Sequence, residues 1–291
     1  MTANADIAGS IFLTGHDPDY HSFAGGNTSG AAAINTAAIN FVTDPAFNPF
    51  ANAGIKRFLY VTSNIAPPAG HVDGTNGLLT SGYVLGVDFD RADAATLVTA
   101  LGRLGTTYDA LVIASDFGGI LTQAELNILN AHSPDIINFL NQGGGLYAMA
   151  ESDLGAGLTP GGGLFGYLPF VIASAQKDQN ETGDTVTSFG ASIGLSSTDL
   201  NGNASHNIFT ATSGLNIVDL DSSGAILSLA GRGKVTDGGV SVVPEPADIF
   251  LFATGLFALL SSISLKRLGK RVPFFRTGFA SPRHLPTRKA N

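Results

Sequence analysis

The chain has 291 residues, no Cys, no Trp, 37 Gly and a formal net charge of −8. Without Cys there are no disulfides, no zinc–thiolate or iron–sulfur centres and no thiol nucleophile. The negative balance opposes nucleic-acid binding, because the phosphate backbone would be repelled. With 44% hydrophobic residues the chain is long and apolar enough for one or two domains with a full core.

After a short lead over 1–9, the body at 10–235 alternates strand and helix patterns. Gly9 to Thr14 reads as a strand. Ile34, Ala37, Ala38, Phe41 and Val42 fall at i, i+3, i+4, i+7 and i+8, a helical stripe within 31–42. Residues 57–62 (RFLYVT) predict a strand, and so do 83–88. Leu97, Val98, Leu101 and Leu104 share one face of a helix over 92–104. Residues 109–114 (DALVIA) form a strand apolar on both faces. Thr122 and Glu125 match a capping box. Ser133 as N-cap, with Pro134 behind it, opens a helix through Leu140 that the glycines at 143–145 stop. Residues 146–150 (LYAMA) give the next strand. Beyond 160 the pattern is β-rich, with runs at 168–173, 215–220 and 225–230. The expected fold is α/β: a doubly wound, mostly parallel sheet with a β-rich C-terminal part, followed by one C-terminal transmembrane helix.

In such a sheet the working edge lies at the C-terminal ends of the strands. Here those ends carry Gly15, His16, Asp17, Asp19 and His21 after the first strand, and Ser63 and Asn64 after the second. Ser115 and Asp116 follow DALVIA; Glu151, Ser152 and Asp153 follow LYAMA; His206 lies downstream. Turns and helix caps also select Asp, Asn, Ser and Gly, so the enrichment alone does not name an activity. Three chemistries fit the residue types. Ser115 or Ser152 could act as nucleophile with His206 as base, although neither sits in Gly-x-Ser-x-Gly. His16, Asp17, Asp19 and His21 could wrap a metal ion on an extended loop around Pro18, with Asp88 and Asp90 joining them or binding calcium. Glu151 and Asp153 could be an acid/base pair, and His16, Glu151 and His206 together could line one crevice. Asp116-Phe117-Gly118 stands without other kinase elements, and the glycines at 161–163 have no P-loop Lys. Asn27 and Asn180 fit the glycosylation pattern. Nothing in the residue pattern calls for a cofactor.

Residues 108–115, 118–122, 139–146 and 205–209 together resemble the class I glutamine amidotransferase-like fold, over about 100–215 with 10–100 as the preceding sheet half. In that family the strand after the glycine run ends in an elbow bearing a catalytic Cys. This chain has Ala148-Met149-Ala150-Glu151-Ser152 there, and His206-Asn207-Ile208 where the family has His-Pro-Glu. A carboxylate at the elbow cannot form the thioester, so the resemblance implies the fold without its chemistry.

The charge is sharply divided. Residues 1–265 hold seven Lys/Arg and 23 Asp/Glu, a net of −16; residues 266–291 hold eight Lys/Arg and no acid, a net of +8. Between them Ile249 to Leu265 is an uncharged run of 17 residues, roughly 25 Å as a helix. Lys266, Arg267, Lys270 and Arg271 flank it and could snorkel to headgroups. The linker at 236–247 contains Pro244, Glu245 and Pro246, which no helix interior admits. Pro-Glu-Pro, a short apolar helix over 248–265 and a basic tail at 266–291, in that order, resemble the PEP-CTERM sorting signal. Two departures stand out: the chain runs some 20 residues past Arg271, and that extension is Pro- and Arg-rich.

The resemblance implies an exosortase-type processing enzyme as partner, contact with an exopolysaccharide, no nucleic acid, and a body outside the cytoplasmic membrane. The positive-inside rule independently puts 266–291 in the cytoplasm. Export needs a leader, and MTANADIAGS at 1–10 has neither basic residues nor an apolar run. The expectation is a start further upstream, with Ala3-Asn4-Ala5 left from a cleavage region. The leading expectation for function is therefore a non-catalytic exported protein with a binding or structural role; the competing one is a surface hydrolase of a sugar or amide.

Overall fold

The computed structural model describes residues 9–52, 56–63, 73–116, 120–151, 164–177, 182–203 and 205–242. The chain divides into two compact units, Met1–Val243 and Pro244–Asn291. The second unit lies outside the described residues. With it lie Pro244, Glu245, Pro246, the apolar run 249–265 and the cations Lys266, Arg267, Lys270 and Arg271. Among the described residues no helix is long and apolar enough to cross a membrane.

The described body is an α/β fold around one mixed sheet of eleven strands. Five of them run parallel in the order β3 (Phe89–Ala92), β2 (Phe58–Val61), β4 (Ala110–Ile113), β5 (Gly145–Ala148) and β1 (Gly9–Thr14). The sheet then changes character: β1 pairs antiparallel with β10 (Ile226–Thr236), which is followed by β8 (Asn207–Phe209) and β6 (Ser174–Gln176). β11 (Gly239–Val242) and β9 (Asn216–Leu220) also pair with β10, and β7 (Thr185–Val186) pairs with β9. The sheet is thus mixed and only partly parallel. β1 is the seam between its halves, which is why all six of its residues are buried.

The parallel strands read as continuous apolar runs because both their faces are covered: β2, β4 and β5 are buried at every position. α2 (Thr28–Val42) buries Ala31, Ile34, Ala38 and Val42, and Asn27 caps it by accepting the Gly30 N–H at 3.0 Å. α5 (Gln123–Ala131) opens on the Thr122–Glu125 capping box. α6 (Ser133–Asn141) follows directly. Its N-cap is His132 rather than Ser133, whose hydroxyl instead donates to the Tyr167 carbonyl at 2.9 Å. Arg232 of β10 lies between Phe41 and Phe47, 4.0 and 3.8 Å from their ring centres, and donates to Asp44 at 3.1 Å.

Four expected elements differ, the first being the linker at 236–247, whose Gly239–Val242 is β11 paired with β10. Residues 83–88 form a turn ahead of β3: Asp88 N–H returns to the Val84 carbonyl at 2.8 Å, Gly86 has φ +80°, and Arg57 donates to the Val87 carbonyl at 2.6 Å. Val84 and Val87 are accordingly exposed. The helix expected over 92–104 is reduced to α4 (Leu97–Leu101), because Ala92 belongs to β3 and the chain turns at Gly102. No strand covers 168–173; pairing with β8 starts only at Ser174.

Candidate functional site

The C-terminal ends of β1, β4 and β5 gather a group of buried polar side chains. Gly15 makes this possible. A β-carbon there would collide with the Asn207 carbonyl, so the chain leaving β1 lies directly against the segment that enters β8. The contact is hydrogen-bonded: His206 N–H donates to the Gly15 carbonyl at 2.7 Å, and His16 bridges Ser205. On its other side the His16 carbonyl accepts the Ala150 N–H at 3.2 Å, and Glu151 N–H donates to Asn207 Oδ1 at 3.3 Å. The main chains of His16, Glu151 and His206 therefore converge, as one crevice would require.

Their side chains face different partners among the described residues. His16 Nε2 is 2.9 Å from Asp219 Oδ2, with both residues buried. His206 Nε2 is 3.1 Å from Asp17 Oδ2. Glu151 accepts the Phe165 N–H at 2.6 Å and the Tyr167 hydroxyl, which pins residues 164–167 over the sheet edge. Burial pushes the Glu151 carboxyl up to about 7, against the pull of those two donors.

The four residues expected to surround a metal are likewise divided. Residues 18–21 are not an extended loop but one helical turn, α1 (Pro18–His21), begun by Pro18, with the Tyr20 and His21 N–H groups returning to the Asp17 carbonyl. Asn35 of α2 holds this turn down by donating to the Pro18 carbonyl at 3.0 Å. The turn aims Asp17 at His21 (3.4 Å) and His206. Asp19 instead accepts Tyr60 Oη at 3.0 Å, the Ser115 N–H at 2.9 Å and Ser115 Oγ at 2.8 Å. Burial, with the neighbouring Asp17 charge, raises Asp19 to about 6, although the bonds from Ser115 and Tyr60 favour the ionised form. Among the described residues no group of three or more His, Asp or Glu is arranged to hold a metal ion. Asp88 and Asp90 sit at the opposite, N-terminal end of the parallel strands, where they accept from Val84 N–H and from Tyr108 and Arg57.

The serine reading is not assembled from Ser115: its hydroxyl donates to Asp19, while the His206 ring faces Asp17. Ser152 and Asp153 lie outside the described residues, as do Asn64, Phe117, Gly118, the glycines at 161–163 and Asn180. Asp219, Tyr60, Tyr167 and Asn207 are the partners that the motifs did not reveal. A signal was present for two of them. Asp219 is an acid inside the apolar run NIVDL, and Tyr60 is a hydroxyl inside RFLYVT, both positions that demand a buried polar partner. No family model matches the chain, and neither a curated protein nor a solved structure matches it.

Proposed function

We propose that the chain is an exported protein, held at or released from the cell surface by its C-terminal sorting tail. Its body has a binding or structural role there or in an exopolysaccharide matrix, and performs no chemistry. In this reading the body is a doubly wound, amidotransferase-like module without the cysteine. Residues 249–265 cross the membrane once, and Lys266, Arg267, Lys270 and Arg271 hold the cytoplasmic side. An exosortase-type enzyme acts near Pro244, Glu245 and Pro246.

The observation that carries the proposal is the order of the tail: a proline-bounded linker, an uncharged run of 17 residues, then a segment of net charge +8 behind a body of −16. The bonds at the sheet edge support the non-catalytic half. Ser115 Oγ, Glu151 and the Nε2 atoms of His16 and His206 each face a buried protein partner. Mass spectrometry of the mature protein from its own host tests the proposal. A surface fraction whose chain ends between about 243 and 248 is expected; an intact basic tail in the soluble cytosolic fraction overturns it.

One observation favours the second reading, a surface hydrolase of a sugar or amide. A carboxylate beside an imidazole, as Asp17 is beside His206, is the arrangement that orients a histidine base. Turnover of a chromogenic glycoside or amide by the wild type, abolished in His206→Gln with the fold intact, would replace the first reading.

A further inference from the structure

Three electron-pair donors converge beside Gly26. A β-carbon on that residue would lie 3.3 Å from His21 Nδ1, 3.4 Å from Asn203 Oδ1 and hard against the Gly202 carbonyl oxygen. Gly25 and Gly26 have φ of +72° and +58°, and this left-handed pair wraps the chain around the His21 ring without adding a side chain to the space. Among the described residues neither His21 Nδ1 nor Asn203 Oδ1 has a hydrogen-bond partner, although both atoms are buried and Asn203 is only 2% exposed.

The polarity of each donor is fixed by its other contacts. Asn203 Nδ2 donates to the Asp199 carbonyl at 2.9 Å, so the amide oxygen is the atom left facing the cradle. The Gly202 carbonyl accepts the Asn27 N–H at 2.9 Å, which uses one of its two lone pairs. His21 Nε2 faces the Asp17 carboxylate at 3.4 Å. A proton on Nε2 therefore meets an anion and leaves the lone pair on Nδ1. All three atoms lie within 3.4 Å of the position a Gly26 β-carbon would take, and a cation shared among them would offset the repulsion of neighbouring acceptors. The carboxylate behind the imidazole is the arrangement that orients a metal-bound histidine and raises its basicity.

We propose that His21 Nδ1, Asn203 Oδ1 and the Gly202 carbonyl oxygen bind one divalent first-row transition ion, with Asp17 as the positioning carboxylate behind His21. One imidazole nitrogen and two neutral oxygens suit zinc or cobalt, with water completing the coordination. The site differs from the cluster suggested by the His16-to-His21 spacing: of those four residues only His21 ligates, and the other donors come from the distant segment 202–203. The 14% of the His21 side chain that remains exposed gives an ion a way in.

The test is titration of the full-length chain, without a histidine tag and in a mild non-ionic detergent, with Co²⁺ and Zn²⁺, read by calorimetry and by the cobalt d–d absorption. One equivalent is expected to bind. His21→Gln and Gly26→Ala should weaken binding at least tenfold, and His132→Gln at the surface should leave it unchanged. Asn203→Asp places a charge on the ligating oxygen and should tighten binding about tenfold, a gain that misfolding cannot produce. Far-UV circular dichroism confirms that each variant is folded. The absence of a one-to-one event, or equal affinity in wild type, His21→Gln and Asn203→Asp, overturns the proposal.

Discussion

The Asp17 carboxylate lies between two imidazoles, with its Oδ1 3.4 Å from His21 Nε2 and its Oδ2 3.1 Å from His206 Nε2, and the aspartate is fully buried. One side chain thus joins α1 to the segment that leads into β8, across almost the whole length of the body. A buried carboxylate is tolerable only with such partners, and removing the charge leaves the imidazoles facing a neutral amide. Asp17→Asn is expected to lower stability by ~3 kcal/mol or more. His206→Gln should cost less, and the double variant should cost less than the sum of the two. Urea unfolding followed by far-UV circular dichroism measures this, since the chain has no Trp to report. Strict additivity would mean that the two residues do not interact.

Glu151 imposes a pH dependence of defined sign. Its carboxyl titrates near 7 in the folded chain against 4.5 as a free side chain, chiefly because burial disfavours the charge. The folded state therefore holds the proton more tightly. The stabilisation is complete below about pH 4.5 and is lost as pH rises through about 7, an effect of ~3 kcal/mol. Glu151→Gln keeps the shape and removes this term, so its stability relative to wild type should increase between pH 5 and pH 8. Thermal unfolding of both proteins across that range gives the difference. Parallel curves would show that Glu151 ionises normally.

The parallel half of the sheet was legible because its code is redundant. Buried strands such as DALVIA and LYAMA announce themselves by composition, and Thr122 with Glu125, or Pro134, mark where helices begin. The antiparallel half was not, because a period of two says that a strand exists but not which neighbour it takes. Nothing in Ile226–Thr236 indicates pairing with β1 instead of closing a separate sheet. The candidate site was half legible for a related reason. His16 and Glu151 were found because they follow strands and His206 as a histidine downstream of them, and their main chains do meet. Their true partners, Asp219, Tyr167 and Asp17, depend on side-chain direction across 16 to 203 residues of sequence, which spacing does not encode.

Asp19 offers a finer test of how a buried acid is held. Tyr60 Oη, Ser115 Oγ and the Ser115 N–H all donate to it, and each favours the ionised form against the burial that raises it to about 6. Tyr60→Phe and Ser115→Ala each remove one donor. The Asp19 midpoint should rise further in both, as read from the carboxyl carbon shift by NMR. Each variant should lose about 1–2 kcal/mol at pH 8, where the carboxylate is charged, and less at pH 4, where it is not. A loss independent of pH would assign the bonds to packing alone.

Gly15 controls whether the site forms at all. Its φ is not in the left-handed region, so the constraint is space alone: a β-carbon would run into the Asn207 carbonyl. Both sides of that contact are main chain, so neither can rotate away, and relief requires β1 and the 205–207 segment to separate. That would break the His206 N–H bond to Gly15 and the bridge between His16 and Ser205. Gly15→Ala is expected to cost ~2 kcal/mol or more. It should also expose the His206 and Asn207 amides to hydrogen exchange while the α2 amides stay protected. Gly102→Ala is the control. Its nearest neighbour would be the Thr99 carbonyl at an ordinary 3.5 Å and its φ is −64°, so the same methyl group should be neutral or stabilise by about 0.5 kcal/mol through the unfolded chain. Equal losses at the two positions would show that the Gly15 contact is not what holds the chain leaving β1 against the 205–207 segment.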